Sequence, residues 1–306
     1  MKIRKKKGTV PCVIVFLLAA MLLSACAGKE KEPPYLESIV YSNLTDEKSQ
    51  AEIRAALENA GIEKKRMEDF FEEVDRYNQA IEGTSLTKEG FVESKELNPE
   101  YDLLKMTELW EAKHPDFIGC NCRITSFGLM RDFVEVGNPQ AEDDEILFLD
   151  KAAILRSPKT LIAEEEEEVF ENLFASIRAK EGKDISTHLE TVKENWGKKQ
   201  IRFRNSDKAS FIFVFFHLEE EEGQWSLFVG HVGLLFPTEG GKLLFLEKLA
   251  FDEPYQALKF DNRVQLNDYL MHKYDVEWGQ SAAKPFIMEN DQLMEGYRPN
   301  PDNKEK

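Results

Sequence analysis

Cysteine is scarce in this chain: four residues in 306, and two of them, Cys12 and Cys26, fall within the first 26 positions. The other two, Cys120 and Cys122, stand one residue apart and could close only a small, strained ring. A disulfide framework is therefore excluded as a source of stability. Histidine is also sparse, with five residues. Among them His114, His188, His217 and His272 lack partners at metal-ligand spacing, which argues against zinc and leaves no cofactor implied. Positive charge is the third shortage. Lys and Arg number 40 against 57 Asp and Glu, for a formal net charge of −17. Nucleic-acid binding rests on cations neutralising phosphate, so a nucleic-acid partner is excluded, and so is electrostatic adhesion to anionic lipid. Past residue 25 no apolar run approaches the ~20 residues of a spanning helix.

The N-terminus accounts for two of the cysteines. Lys2, Arg4, Lys5, Lys6 and Lys7 form a basic start, residues 10–23 an apolar stretch, and Leu23-Ser24-Ala25-Cys26 follows. This pattern reads as a lipoprotein signal peptide over 1–25. The Cys26 thiol would take the lipid and hold the protein on the extracytoplasmic face of the cell membrane. Residues 26–40, with AGKEKEPP at 27–34, read as a polar tether. Removal of 1–25 takes away five positive charges and no acid, moving the net charge from −17 to −22.

Phenylalanine is abundant, at 21 residues, so the rest of the chain can build a substantial core. Thr45-Asp46 caps a helix running to about 60, with Gly61 as its stop. A second helix, 64–81, carries Met67, Phe70, Phe71, Val74, Tyr77 and Ile81 on one stripe. Further helices are read over 102–113, 122–136 and 164–177. From 209 the period changes to 2, predicting strands over 210–217, 225–236 and 242–251. A helix over 262–274 and an edge strand at 285–288 close the pattern. The domains predicted are a helical part at 41–113, an α+β core at 114–298 and a polar tail at 299–306. Helices first and an antiparallel sheet afterwards make the class α+β.

Chemistry-bearing residues appear at three places. Cys122 stands where a loop enters a helix, and a helix N-terminus favours thiolate over thiol. There the Cys122 N–H, with Asn121 beside it, could hold an oxyanion. His231 lies in a strand between Gly230 and Gly233, small neighbours that leave room for a group to approach the ring. With a turn centred on Glu239, Leu235 faces Leu243 and His231 faces Glu247, whose carboxylate could orient the imidazole. Val229, His231, Leu235, Leu243, Phe245 and Leu249 would then share a face. Each residue alone has a bland explanation: a buried small thiol, a structural histidine, a solvated strand acid. What sets them apart is their order, a cysteine on a helix, then a histidine on a strand, then an acid on the next strand, as a thiol hydrolase requires.

Six strings carry a family resemblance: YSNLTDEKSQ at 41–50, FIGCNCRITSFGLM at 117–130, GHVGLLFPTEGGKLLFLEKLAF at 230–251, PYQALKF at 254–260, LNDYLMHKYDVEW at 266–278 and KPFIMENDQLMEGYR at 284–298. Through them the chain resembles an uncharacterised family of Gram-positive lipoproteins, the domain-of-unknown-function family numbered 4300. That family has no established activity. The resemblance implies that the cysteine between Asn121 and Arg123 belongs to the shared motif, and that Cys120 is peculiar to this chain. A narrower likeness concerns HVGLLF, its turn and the next strand. These are similar to the histidine hairpin of NlpC-type cysteine peptidases, which begin a helix with their nucleophile and cut peptide or amide bonds in peptidoglycan. This implies a papain-like arrangement and a peptidoglycan or peptide substrate. The departure is that their cysteine usually follows Asp and precedes Ser or Gly, whereas Cys122 lies between Asn121 and Arg123. The expectation is a surface lipoprotein acting as a thiol-dependent amidase or peptidase. The competing reading is a non-catalytic binding module on the same fold.

Overall fold

The computed structural model of the chain describes residues 33–140, 145–276 and 281–303. The segment read as a signal peptide, Cys26 and the first part of the segment read as a tether lie outside them. Tyr35–Lys306 is one compact unit, so the boundary read between 113 and 114 falls inside a single packed body. Strand β1 (Ile39–Ser42) already begins within the segment read as tether. Among the described residues no helix is long and apolar enough to cross a membrane.

Local sequence rules explain the first helices. The Asp46 carboxylate accepts from the Lys48 and Ser49 N–H groups to start α1 (Glu47–Ala60), and Gly61, at φ 83°, stops it. Helix α2 (Lys64–Ala80) buries Met67, Phe70, Phe71, Val74 and Tyr77. Strand β2 (Val92–Ser94) and helix α3 (Leu103–Lys113) follow. The helix read over 122–136 is shorter: α4 (Cys122–Met130) gives way to a 3-10 turn, Arg131–Phe133, and to β3 (Val134–Val136). Val134-Glu135-Val136 alternates with period 2 and pairs with β5 (Ile201–Phe203), so strand pairing overrides helical continuation there.

The middle contains more structure than its pattern announces: α5 (Phe148–Arg156), α6 (Glu164–Phe174), β4 (Ile177–Ala179) and α7 (Ile185–Lys199). Helix α5 hides its amphipathicity because it is turned the unusual way. Asp150 is fully buried, while Phe148, Leu149 and Leu155 face outward, the last 85% exposed. The helix read to 177 ends at Phe174, and Ile177 starts β4 instead.

Strands β6 (Ser210–Glu221), β7 (Gln224–Pro237), β8 (Leu243–Lys248) and β9 (Tyr255–Phe260) form the antiparallel heart of the sheet. Helix α8 (Arg263–Tyr274) and strands β10 (Phe286–Glu289) and β11 (Gln292–Leu293) complete the chain. The sheet order is β11-β10-β6-β7-β8-β9-β1-β2, with β4 also on β7. Alternate residues of β6 feed two cores. Phe211, Phe213 and Phe215 pack with the helices before the sheet, and Ile212 and Val214 pack with Leu266 and Leu270 of α8.

Two irregularities of β7 prepare the site. Val214 pairs His231 while the next residue, Phe215, pairs Val229, so Gly230 is a bulge. The bulge sends Val229 into the opposite core from Leu235 and Phe245, correcting the face on which they were placed together. The second irregularity is a notch. Strand β6 runs along one edge of β7; on the other, β4 covers Trp225 to Leu227 and β8 covers Leu234 to Pro237. Between them, on that edge, residues 228–233 meet no strand.

Candidate active site

Backbone groups left unpaired in a sheet must find other partners, and helix α4 supplies them in the notch. Arg123 Nη1 donates to Val229 O at 3.0 Å, and Ser126 Oγ donates to Val232 O at 3.3 Å. The Val232 N–H donates to the Cys122 sulfur. The start of α4 thus takes the place of a strand, which brings the sulfur to the segment that carries His231.

Cys122 and His231 are hydrogen-bonded to each other, and His231 Nε2 lies 2.6 Å from Glu247 Oε2. With Nε2 on the carboxylate, Nδ1 is the ring nitrogen left for the sulfur. The three residues that the sequence singled out therefore meet in one line of hydrogen bonds: Cys122, His231, Glu247. They do so in a different register from the one read. Leu235 pairs Phe245 and Pro237 pairs Leu243, and the ladder stops at Leu234–Leu246. The turn is centred one residue later than Glu239, closed by Thr238 N donating to Lys242 O at 2.8 Å. A one-residue shift of centre moves the register by two, so side-chain parity is kept. His231 and Glu247 still share a face but meet diagonally. Nor do the glycines open space for the ring. A Cβ on Gly230 would lie 2.1 Å from Phe216, and one on Gly233 would lie 2.3 Å from Phe245; both glycines admit aromatic rings.

The electrostatics favour an ion pair. Burial works against a charged Cys122, but the hydrogen bond and charge of His231, Arg123 and the Val232 N–H outweigh it and lower the thiol pKa. Burial likewise works against a charged His231, yet its bonds to Cys122 and Glu247 raise it to about 9. Glu247 is held below the ordinary carboxylate range, burial being outweighed by His231. Its Oε1 also accepts from Tyr269 Oη at 2.6 Å and from Gln256 Nε2 at 3.2 Å. The shifts run towards a thiolate and an imidazolium, with a carboxylate behind the ring that is itself hydrogen-bonded.

Cys120 has the opposite character. Burial and the neighbouring Glu73 push its thiol up to about 12. It lines a small cleft of about 60 Å³ with Phe70, Glu73, Thr125 and Tyr255, and Cys122 is not part of that lining. Asn121 stands beside Cys122, as the sequence suggested, and has a structural task there as well. It is the N-cap of α4, its Oδ1 accepting from Ile124 N at 2.9 Å, and its Nδ2 donates to Asp150 at 2.8 Å. One of its two amide N–H donors is thus committed to Asp150, and the other is left for an oxyanion. The Cys122 N–H remains, in the first turn, where no carbonyl four residues earlier serves it.

Three partners escaped the sequence: Asp150, Tyr269 and Gln256. Asp150 sits on a helix whose pattern is inverted, and the other two become neighbours only through packing of β8, β9 and α8. The site is enclosed. Cys122 is 5% exposed and His231 1%, and the half-buried Tyr274 ring stacks on His231 with centroids 5.1 Å apart. Among the described residues no group of three or more His, Cys, Asp or Glu could hold a metal ion.

No curated protein and no solved structure matches the chain. One family does, described as "Domain of unknown function (DUF4300)", over residues 40–294. With that span of its length matched, the chain belongs to the DUF4300 family.

Proposed function

We propose that the protein is a thiol-dependent amidase or peptidase of the cell envelope, lipid-anchored through Cys26, with Cys122 as nucleophile. One observation carries the reading: the buried hydrogen-bonded line from Cys122 through His231 to Glu247. Its order and its place at a helix start support a papain-like arrangement.

The chemistry follows from the ion pair. The Cys122 thiolate forms a bond to the substrate carbonyl carbon, and the C=O π pair moves to oxygen beside the Cys122 N–H and the positive end of α4. When the oxyanion collapses, the C–N bond breaks and the departing amine takes the proton from His231. The now neutral imidazole removes a proton from water as its oxygen attacks the thioester. The S–C bond breaks, releasing acid, and the thiolate–imidazolium pair is restored. Glu247 orients the ring and stabilises its charged form.

The burial of Cys122 favours a second reading, a non-catalytic module that binds a peptide or glycan elsewhere on its surface. An electrophilic thiol probe separates the two. On the catalytic reading it labels the wild type at Cys122 and loses about tenfold or more in rate in His231→Ala. Cys120→Ala should label as wild type, and Cys122→Ala not at all. Labelling confined to Cys120, or indifferent to His231, would leave the binding module standing.

A further inference from the structure

Asp150 is a fully buried carboxylate on α5, which leaves Phe148, Leu149 and Leu155 outward while turning the acid in. A buried carboxylate persists only where it is paired, and this one takes its hydrogen bonds from the nucleophile segment. Asn121 Nδ2 reaches Oδ1 at 2.8 Å, Arg123 Nε reaches Oδ1 at 3.0 Å, and Arg123 Nη2 reaches Oδ2 at 2.6 Å. These two residues flank Cys122 on either side. Asn121 caps α4, so holding its amide holds the point at which the helix begins. Arg123 has one further arm: Nη1 donates to Val229 O at 3.0 Å, two residues before His231 on the notch edge of β7. The guanidinium is a planar fork whose orientation a bidentate carboxylate sets. It therefore spans the distance between the helix with the sulfur and the strand with the imidazole.

We propose that Asp150 is a positioning residue for the Cys122–His231 pair, acting through Asn121 and Arg123. The inference rests on the thiol reading of the site and adds a residue that touches none of the reacting atoms. It predicts a sign. Asp150 is negative, so by direct field alone its neutralisation would favour the thiolate and lower the Cys122 pKa. If its role is to hold sulfur and ring together, neutralisation loosens the hydrogen bond and the pKa rises. A merely structural role would lower resistance to denaturant and leave the titration where it was.

The test is the pH profile of iodoacetamide alkylation of the full chain. Fragment-ion mass spectrometry on the peptide over 114–123 separates Cys122 from Cys120. In Asp150→Asn the midpoint for Cys122 should move up by about one unit, so labelling at neutral pH falls about tenfold. Arg123→Lys, which keeps the charge and loses the fork, should move it the same way. An unchanged or lowered midpoint in folded Asp150→Asn overturns the positioning role. Should that variant fail to fold, an unchanged midpoint in Arg123→Lys overturns it instead. Wild-type labelling that ignores His231→Ala sinks the thiol reading itself, a different result from either of these.

Discussion

His231 and Cys122 titrate against each other, and their shifts have opposite signs. The histidine, raised from its ordinary 6.5 to about 9, adds stability that is complete below 6.5 and lost as pH rises through about 9. The cysteine, lowered from its ordinary 9.0, adds stability that is present above 9.0 and lost as pH falls through its folded value. Where the two ranges overlap, between the folded cysteine's value and 9, the trends oppose each other, and there the pair binds one proton in both folded and unfolded chains. Removing the thiol exposes the histidine trend alone, with Glu247 still holding the ring charged. Denaturant unfolding of wild type and Cys122→Ala should therefore diverge, the wild type gaining relative stability as pH rises from 6.5 to 9. Parallel curves would mean that no thiolate–imidazolium pair exists. Cys122, His231 and Glu247 were all legible as residue types in order. The approach of His231 to Glu247 was legible too, through a register wrong by two but right in parity; the meeting of Cys122 with His231 was not, because it depends on how α4 packs against β7.

At the scale of elements, the bulge at Gly230 does the most to shape the site. It swings Val229 to the other face, leaving its carbonyl for Arg123, and its missing Cβ admits the Phe216 ring. Gly230→Ala would place a methyl 2.1 and 2.3 Å from two ring carbons of Phe216. Overpacking of that kind costs about 1–3 kcal/mol. The denaturation midpoint should drop accordingly, and Gly230→Ala with Phe216→Leu should recover part of the loss. A single variant as stable as wild type would show that the bulge is free to shift. Helices α1, α2 and α3 were readable because caps and stripes are local. Helix α5 was not, since a buried acid and outward Leu and Phe reverse the rule by which such a stripe is recognised.

Over the whole molecule, charge bears on how the protein would stay at a membrane. With the basic signal removed the net charge moves from −17 to −22, which repels an anionic surface. Attachment would then rest on the proposed lipid at Cys26 and on nothing electrostatic. Cys26→Ala should appear in the soluble fraction after cell lysis, and lowering the salt should not return it to membranes. A variant that stays membrane-bound would remove the anchor from the proposal. The same scale joins the two parts read from the sequence. Val40 pairs Lys259 and Tyr41 pairs Leu258, so the N-terminal helices come with strands that finish the sheet.

What the sequence determined by itself was whatever depends on neighbours along the chain: α+β class, caps and stripes, the alternation of the hairpin, the helix start at Cys122. Tertiary structure alone decided which groups from distant segments meet. The sulfur reaches the imidazole because β4 and β8 leave part of one edge of β7 uncovered and α4 fills it. Asp150 reaches Asn121 and Arg123 because α5 is turned against its apolar side. Such contacts arise from strand ends, a bulge and a helix rotation, and their free energies are settled by packing across the fold rather than by spacing within a segment.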